Sequence, residues 1–390
     1  EWFRRGSATD ATCWTRAATY LQAKGGGVID TYGKDYTFAA SVTIDASYVT
    51  IYAEGSFITQ NHNSGVGVIL GNGSTLRVEV KVIGGRWDQV DTANQYLFEI
   101  RGIRNVDMHG VKCQNIYMYL HWGRTSDTQS SYQLWETSCE CNLRSGANGG
   151  HSHGYVVENS TGGWHRVDCK LEGYTHQAGQ PSSTQTAIGV SFPSTFVPTR
   201  FDEWNMTGGI IKGFQRGVYV NNSRLVNTEW NGSVRIDDTT FACVHVNVTN
   251  SGEGVDGCRF RFSAGGFPTG YGVLIQAAGS TTDCRNILID LVSRNLTSEC
   301  IEISATSSAE IRGTVLIRLH AEEYAPDGNG TRDAVLLNGV FSEAFVETVV
   351  VTHLASNKAK YGVERANVGA GRVNRSANII GVFQTAAASW

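Results

Sequence analysis

Proline is scarce in this 390-residue sequence: there are five in all, Pro181, Pro193, Pro198, Pro268 and Pro326, and none before residue 181. Proline cannot donate to a strand ladder, so its confinement to loop-like stretches leaves long segments free to pair. Long apolar runs are missing too. No stretch approaches the roughly 18 apolar residues of a membrane-spanning helix, and the opening Glu1-Trp-Phe-Arg-Arg lacks an apolar signal core, so no membrane insertion is expected. Charge is thin, at 17% of residues with a formal net charge of −4, and no basic run is present of the kind that tracks a phosphate backbone, which argues against a nucleic-acid partner. Nine cysteines are scattered without a CxxC pair. That pattern predicts buried thiols in strands, with no metal site and no cofactor.

What the chain does have is 45 glycines and many β-branched residues, the composition of a long all-β chain with frequent turns. A single helix is expected over residues 9–24. Thr9 or Asp10 can cap its start, Trp14, Ala17, Ala18 and Leu21 share one face, and Gly25 ends it. Lying across one end of a β stack, it would protect strand edges open to pairing.

Short strand-like segments then recur: Gly217-Val-Tyr-Val, Ala242-Cys-Val-His-Val, Gly272-Val-Leu-Ile, Cys300-Ile-Glu-Ile, Ala334-Val-Leu-Leu and Gly362-Val-Glu. A second set runs between them, including Arg259-Phe-Arg-Phe and Asn286-Ile-Leu-Ile. Two or three short strands per turn of roughly 25 to 30 residues mark a β-solenoid. The length would otherwise suggest two or three domains, but a repeat architecture predicts one solenoid over 1–390. Residues 123–153 and 172–200, rich in Ser, Thr, Gly, Gln and His, are expected to leave the stack as functional loops.

The opening Gly6-Ser-Ala-Thr-Asp-Ala-Thr, the helix, Gly25-Gly-Gly-Val-Ile-Asp-Thr-Tyr-Gly, the Tyr36-Thr-Phe strand and Val49-Thr-Ile-Tyr-Ala-Glu-Gly together resemble the pectate-lyase-like superfamily of right-handed parallel β-helices, with the nearest look to bacteriophage tailspike depolymerases. The likeness covers about the first sixty residues. Thr9-Asp-Ala-Thr stands where an acid-rich TDDT pattern is usual, and the paired aspartates and Gly-His-Gly of polygalacturonases are absent, which disfavours that activity. The resemblance implies a homotrimer in a virion tail or extracellular setting, acting on a bacterial surface polysaccharide.

For chemistry, the tripeptide Glu203-Trp204-Asn205 returns as Glu229-Trp230-Asn231, at an offset that matches one turn of the coil. In common register the two glutamates would sit roughly 4.8 Å apart, close to the 5 to 5.5 Å of retaining glycosidases. Glu203 and Glu229 are therefore the expected acid and nucleophile, with Asp202 or Asp237 assisting. Substrate contacts are expected from Trp164, read as outward-facing, and from His165, Arg235 and His245. Trp204 and Trp230 point the other way, into the core. A reserve acidic site gathers Glu322, Glu323, Asp327 and Asp333, with an outward Glu302 one turn earlier. A polysaccharide lyase is the alternative enzyme, needing a proton-abstracting base from His151, His153, His165 or His245 and cations such as Arg235 or Arg259. A non-catalytic glycan-binding adhesin would use the same fold.

Overall fold

The computed structural model describes residues 9–63, 65–90, 95–143, 153–159, 162–173, 188–193, 200–249, 253–265, 270–278, 284–305, 309–324, 332–353, 359–366, 372–373, 378–381, 383 and 386–389. The chain divides into two compact units, one of residues 1–174 with 185–191, the other of residues 175–184 with 192–390. Both are parallel β-helices.

The first unit begins with the helix Asp10–Lys24. Thr9 accepts the Thr12 N–H at its start, and Gly25 ends it in the left-handed region at φ 83°. Trp14 is buried and meets Phe38 edge-on at 5.2 Å and Trp87 at 6.3 Å. Three side chains of this helix also accept strand amides: Asp10 Oδ2 takes Thr37 N–H at 2.9 Å, Thr15 Oγ1 takes Thr43 N–H at 3.4 Å, and Gln22 Oε1 takes Ser47 N–H at 2.7 Å. The helix thus satisfies donors that an open first rung would leave unpaired, which is the capping role expected of it.

Three walls follow. Successive rungs pair in parallel along each: Ile51 with Val82, Val82 with Met108 and Met108 with Glu136 on the first; Ile58 with Trp87, Trp87 with Cys113 and Cys113 with Cys141 on the second; Leu70 with Ile100 and Ile100 with Trp122 on the third. Alternation turns every second side chain inward. The inward columns fill the interior with Val, Ile, Leu and aromatic rings, and every one of the nine cysteines is buried and unbridged.

Two inward columns of this unit break the apolar rule: Gln89 Nε2 donates to Gln60 Oε1 at 2.7 Å on the second wall, and the first wall carries an ion pair. Glu136 and Arg166, on adjacent rungs, are 0% and 1% exposed, with Arg166 Nε 3.4 Å from Glu136 Oε2. The carboxylate also accepts Tyr155 O–H at 2.9 Å, Tyr119 O–H at 3.3 Å and Trp164 Nε1–H at 2.8 Å. Arg166 lies over the Tyr155 ring at 5.0 Å. The carboxylate is thus well partnered, whereas the buried Arg166 nitrogens make no hydrogen bond among the described residues and are held by the carboxylate charge and the Tyr155 and Trp164 rings.

The second unit repeats the plan with longer strands. Arg259–Gly265, Arg285–Arg294, Glu310–Tyr324 and Val340–His353 each run along more than one wall. Its third wall stacks Arg216–Asn221, Ala242–Val248, Tyr271–Ala277, Ile301–Ala305, Val335–Asn338 and Tyr361–Ala366, the same six segments whose recurrence stood out in the sequence. Inside this unit Trp204 and Trp230 are fully buried, with ring centroids 4.9 Å apart, as their alternation predicted.

The two stretches expected to leave the stack are partly strand. Tyr132–Thr137 and Glu140–Leu143 are regular rungs within 123–153, and Ile188–Phe192 is another within 172–200. Gln133 and Thr137 take outward places in the first of these strands, whereas Glu136 points inward and all of Ile188–Phe192 is buried. Residues 144–152, 174–187 and 194–199 lie outside the described residues.

Glu136→Ala should lower the free energy of unfolding by about 3 to 5 kcal/mol in guanidinium titrations, because it strands the Arg166 guanidinium in the core. Replacing Glu136 and Arg166 together by methionine should recover most of that loss.

Candidate functional site

The repeated tripeptide does not stack in the common register that its recurrence suggested. Glu229 pairs with Asn205 and Trp230 with Met206, so this turn is shorter than the offset between the two tripeptides. Glu203 instead occupies a left-handed corner at φ 62°, stacked on Asn227 at φ 50° and then Gly257 at φ 65°, each donating its N–H to the rung above. Glu229 stands 57% exposed beside Arg259, 3.7 Å away. The two glutamates thus belong to different columns and do not form a matched pair. Asp202 ends the strand Arg200–Asp202 beside Val226, half-buried.

Trp164 is also corrected. Its strand turns Trp164 and Arg166 inward, so the indole is fully buried and hydrogen-bonded to Glu136, and it offers no face to a sugar. The outward residue is His165, stacked on Trp135 at 3.9 Å with the ring planes 14° apart. Trp135 is 45% exposed, and this pair provides the flat apolar surface sought for a pyranose face.

His245 is buried rather than presented. Arg216 Nε donates to its Nδ1 at 2.9 Å, its Nε2 meets Gln276 Oε1 at 3.2 Å, and the rings of Tyr219 and Phe241 lie at 4.9 and 5.3 Å. Burial pushes its pKa down to about 4, opposed by the Gln276 hydrogen bond and reinforced by the Arg216 charge. Nδ1 must accept, so the imidazole is neutral and buttresses Arg216. Of the other histidines named, His151 lies outside the described residues and His153 starts a strand of the first unit.

Asp237 and Arg235 fall in an open groove of about 490 Å³ on the second unit, with Gly265, Arg294, Glu322 and Glu323. Asp237 is 5% exposed, and burial raises its pKa against the pull of Arg235, whose Nη2 donates to it at 2.6 Å. Arg294 clamps Glu323 with bonds of 2.7 and 2.9 Å. The column from Asp237 runs through Gly265 and Arg294 to Glu322, three rungs or about 14 Å. That span is too long for an acid and base flanking one glycosidic bond, and it suits contact with several sugars instead.

A closer pair of acids lies a short way along the chain. Tyr324, next after Glu323, donates its hydroxyl to the Asp333 carbonyl at 3.0 Å. The Asp333 carboxyl, 2% exposed, accepts Tyr361 N–H at 3.0 Å and is hydrogen-bonded to the Glu364 carboxylate. Burial first, and the bond to Glu364 with its charge second, push Asp333 up to about 8; the bond from Asp333 holds Glu364 below the usual range, assisted by Lys360 at 3.3 Å. One proton is therefore kept between two carboxyls at neutral pH. Glu302 is outward in the same column as Glu364, two rungs or about 10 Å away, and accepts Ser304 O–H at 2.6 Å. Arg332 bridges to the buried Glu299 at 3.2 Å.

The reserve acids Glu322, Glu323, Glu302 and Asp333 thus line the groove and the carboxyl cluster of one unit, while Asp327 lies outside the described residues. Glu364 went unrecognised as an acid of interest. Its signal was present: Ile301-Glu302-Ile303 and Val363-Glu364 hold a glutamate at the same outward place in two third-wall segments. Among the described residues no group of three or more His, Cys, Asp or Glu side chains is disposed to hold a metal ion, and no helix is long and apolar enough to cross a membrane.

No family model and no curated protein matches the chain. Solved structures do. A double mutant of the tailspike protein of E. coli bacteriophage HK620, in complex with a pentasaccharide, aligns with a TM-score of 0.51 at 11% identity, covering 95% of this chain and 74% of its own. Another double mutant of that tailspike aligns at 0.50 and 10% identity over 98% and 75%. PfbA, a surface adhesin of Streptococcus pneumoniae, aligns at 0.46 and 11% identity over 96% and 90%. The chain has a tailspike-like parallel β-helix fold, as its opening residues implied.

Because His245 is neutral when folded and titrates at its ordinary value when unfolded, stability should be full above pH 6.5 and decline as pH falls from there toward 4. His245→Gln should flatten that window in unfolding titrations run at successive pH values.

Proposed function

We propose that this protein binds and cleaves a bacterial surface polysaccharide, hydrolysing glycosidic bonds at the Asp333–Glu364 pair. The observation that carries the reading is the shared proton. Hydrolysis needs a carboxyl that is still protonated at working pH, and this pair keeps one proton beside an ionised partner. The pentasaccharide complex of a tailspike with the same fold supports a saccharide as the ligand.

In this mechanism the pair delivers its proton to the leaving glycosidic oxygen as the bond to the anomeric carbon breaks. Glu364, the more exposed member, is the point of delivery: the single proton passes from Asp333 through Glu364 to the leaving oxygen, both carboxyls are left ionised, and solvent returns a proton to the pair before the next turnover. Glu302 takes a proton from the attacking water, whose oxygen bonds to the anomeric carbon. Glu302 and Glu364 stand two rungs apart in one column, wider than the close pair of a retaining enzyme, which leaves room for that water. The groove holding Asp237, Arg294 and Glu322 binds neighbouring sugars, with carboxylates accepting sugar hydroxyls.

The expected setting is a virion tail or the extracellular medium, and the expected assembly is a homotrimer. Light scattering after size-exclusion chromatography should give three times the chain mass of 42.3 kDa, and a monomer would remove that part of the reading.

On a panel of bacterial capsular polysaccharides, Asp333→Asn and Glu364→Gln should each cut the release of reducing ends by about 100-fold or more. Activity should fall as pH rises through about 8, where the pair loses its proton. Residual activity of Glu364→Gln should fall off at lower pH, since the charge holding that proton is gone. Unchanged activity in both variants would move the chemistry elsewhere, and a parallel rise in absorbance at 232 nm would identify a lyase.

A further inference from the structure

The first unit has a groove of its own, of about 600 Å³, where the first wall turns into the second. Its floor is backbone. Gly55, Gly84, Gly85 and Gly110 line it, and a Cβ at Gly84 would fall 2.6 Å from Glu54 Cγ. Glycines there keep the corner open enough for a ligand to approach the chain closely.

One side of the groove is a column of three residues on successive rungs: Phe57 pairs with Arg86, and Arg86 with Lys112. The Arg86 guanidinium lies over the Phe57 ring at 5.3 Å and donates to the neutral Gln114 amide. Lys112 is exposed, and it makes no ion pair among the described residues even though Glu140 is its neighbour on the next rung. His109 is exposed at the same corner. The groove's acids are engaged locally: Asp35 Oδ1 accepts Phe57 N–H at 3.1 Å, and Glu54 Oε2 accepts Tyr52 O–H at 2.5 Å.

Two cations with no carboxylate partner among the described residues, an aromatic ring, a backbone floor and two hydroxyl-accepting carboxylates form a complementary set. The cations suit a carboxylate on a sugar, the ring suits the C–H face of a pyranose, and the remaining lone pairs of Asp35 and Glu54 suit sugar hydroxyls. The geometry points to a second saccharide site on the first unit, specific for an acidic sugar whose carboxylate is held by Arg86 and Lys112. It extends the reading of the protein as glycan-active by assigning a uronate-type unit to its ligand, and it requires no catalysis.

The test is calorimetric titration of the full chain with trigalacturonic acid and, separately, with the uncharged galactose trisaccharide. Binding of the acidic trisaccharide should weaken about tenfold in Lys112→Gln and in Arg86→Gln, and it should weaken with added salt. Both side chains are exposed, so the variants should unfold at the wild-type denaturant concentration. Equal affinity for the two trisaccharides, equal affinity of the variants and wild type for the acid, or no measurable binding of the acid would each overturn the assignment. Asp333→Asn separates the two readings, because it should abolish cleavage and leave this binding intact.

Discussion

Every feature of this protein depends on the hydrogen-bond ladder between parallel rungs. A rung cannot bury its inward side chains alone, and its amides and carbonyls find partners only on the rungs before and after it. Once the ladder is fixed, each residue acquires a column, and neighbours along a column repeat at roughly 4.8 Å. The same ladder explains the scarcity of proline and the need for a helix at the first rung, where Asp10, Thr15 and Gln22 stand in for the missing strand. Surface chemistry is then a matter of which side chains share a column. Arg86 and Lys112 do, and so do Glu302 and Glu364.

The ladder places carboxyls, but their environment sets their protonation. Asp333, Glu299 and Asp237 are all shifted upward chiefly by burial, whereas the exposed Glu323, held by Arg294, is shifted downward. Position in the wall and depth below the surface thus give acids of identical chemistry different tasks. His245 shows the same effect with opposite sign, since burial disfavours its cationic form.

The fold was legible because two periodicities were superimposed in the sequence. Period-two alternation, as in Val244, Val246 and Val248, gave strands, and the return of such segments once per turn gave the coil. The helix was legible from its cap and its stop. The site was less so, because turns vary in length. Glu229 stacks on Asn205 rather than on Glu203, and that slip in register leaves Glu203 at a corner. Trp164 differs for a related reason: alternation does not carry across the left-handed Asp168 at φ 50°, and the strand has Trp164 and Arg166 inside. Asp333 and Glu364 meet through a corner that precedes a strand, where neither alternation nor repeat spacing predicts a contact.

The buried Glu136–Arg166 pair acts on a hazard peculiar to such a coil. Rungs that all offer similar aliphatic side chains can dock one turn out of step and lose little, because a valine stacks nearly as well on one isoleucine as on the next. A carboxylate that needs Tyr119, Tyr155, Trp164 and Arg166 together has one acceptable address. Misplacing it by one rung would part the carboxylate from all four partners and leave both ions uncompensated in an apolar interior, so this polar contact penalises a shifted register where aliphatic packing scarcely does.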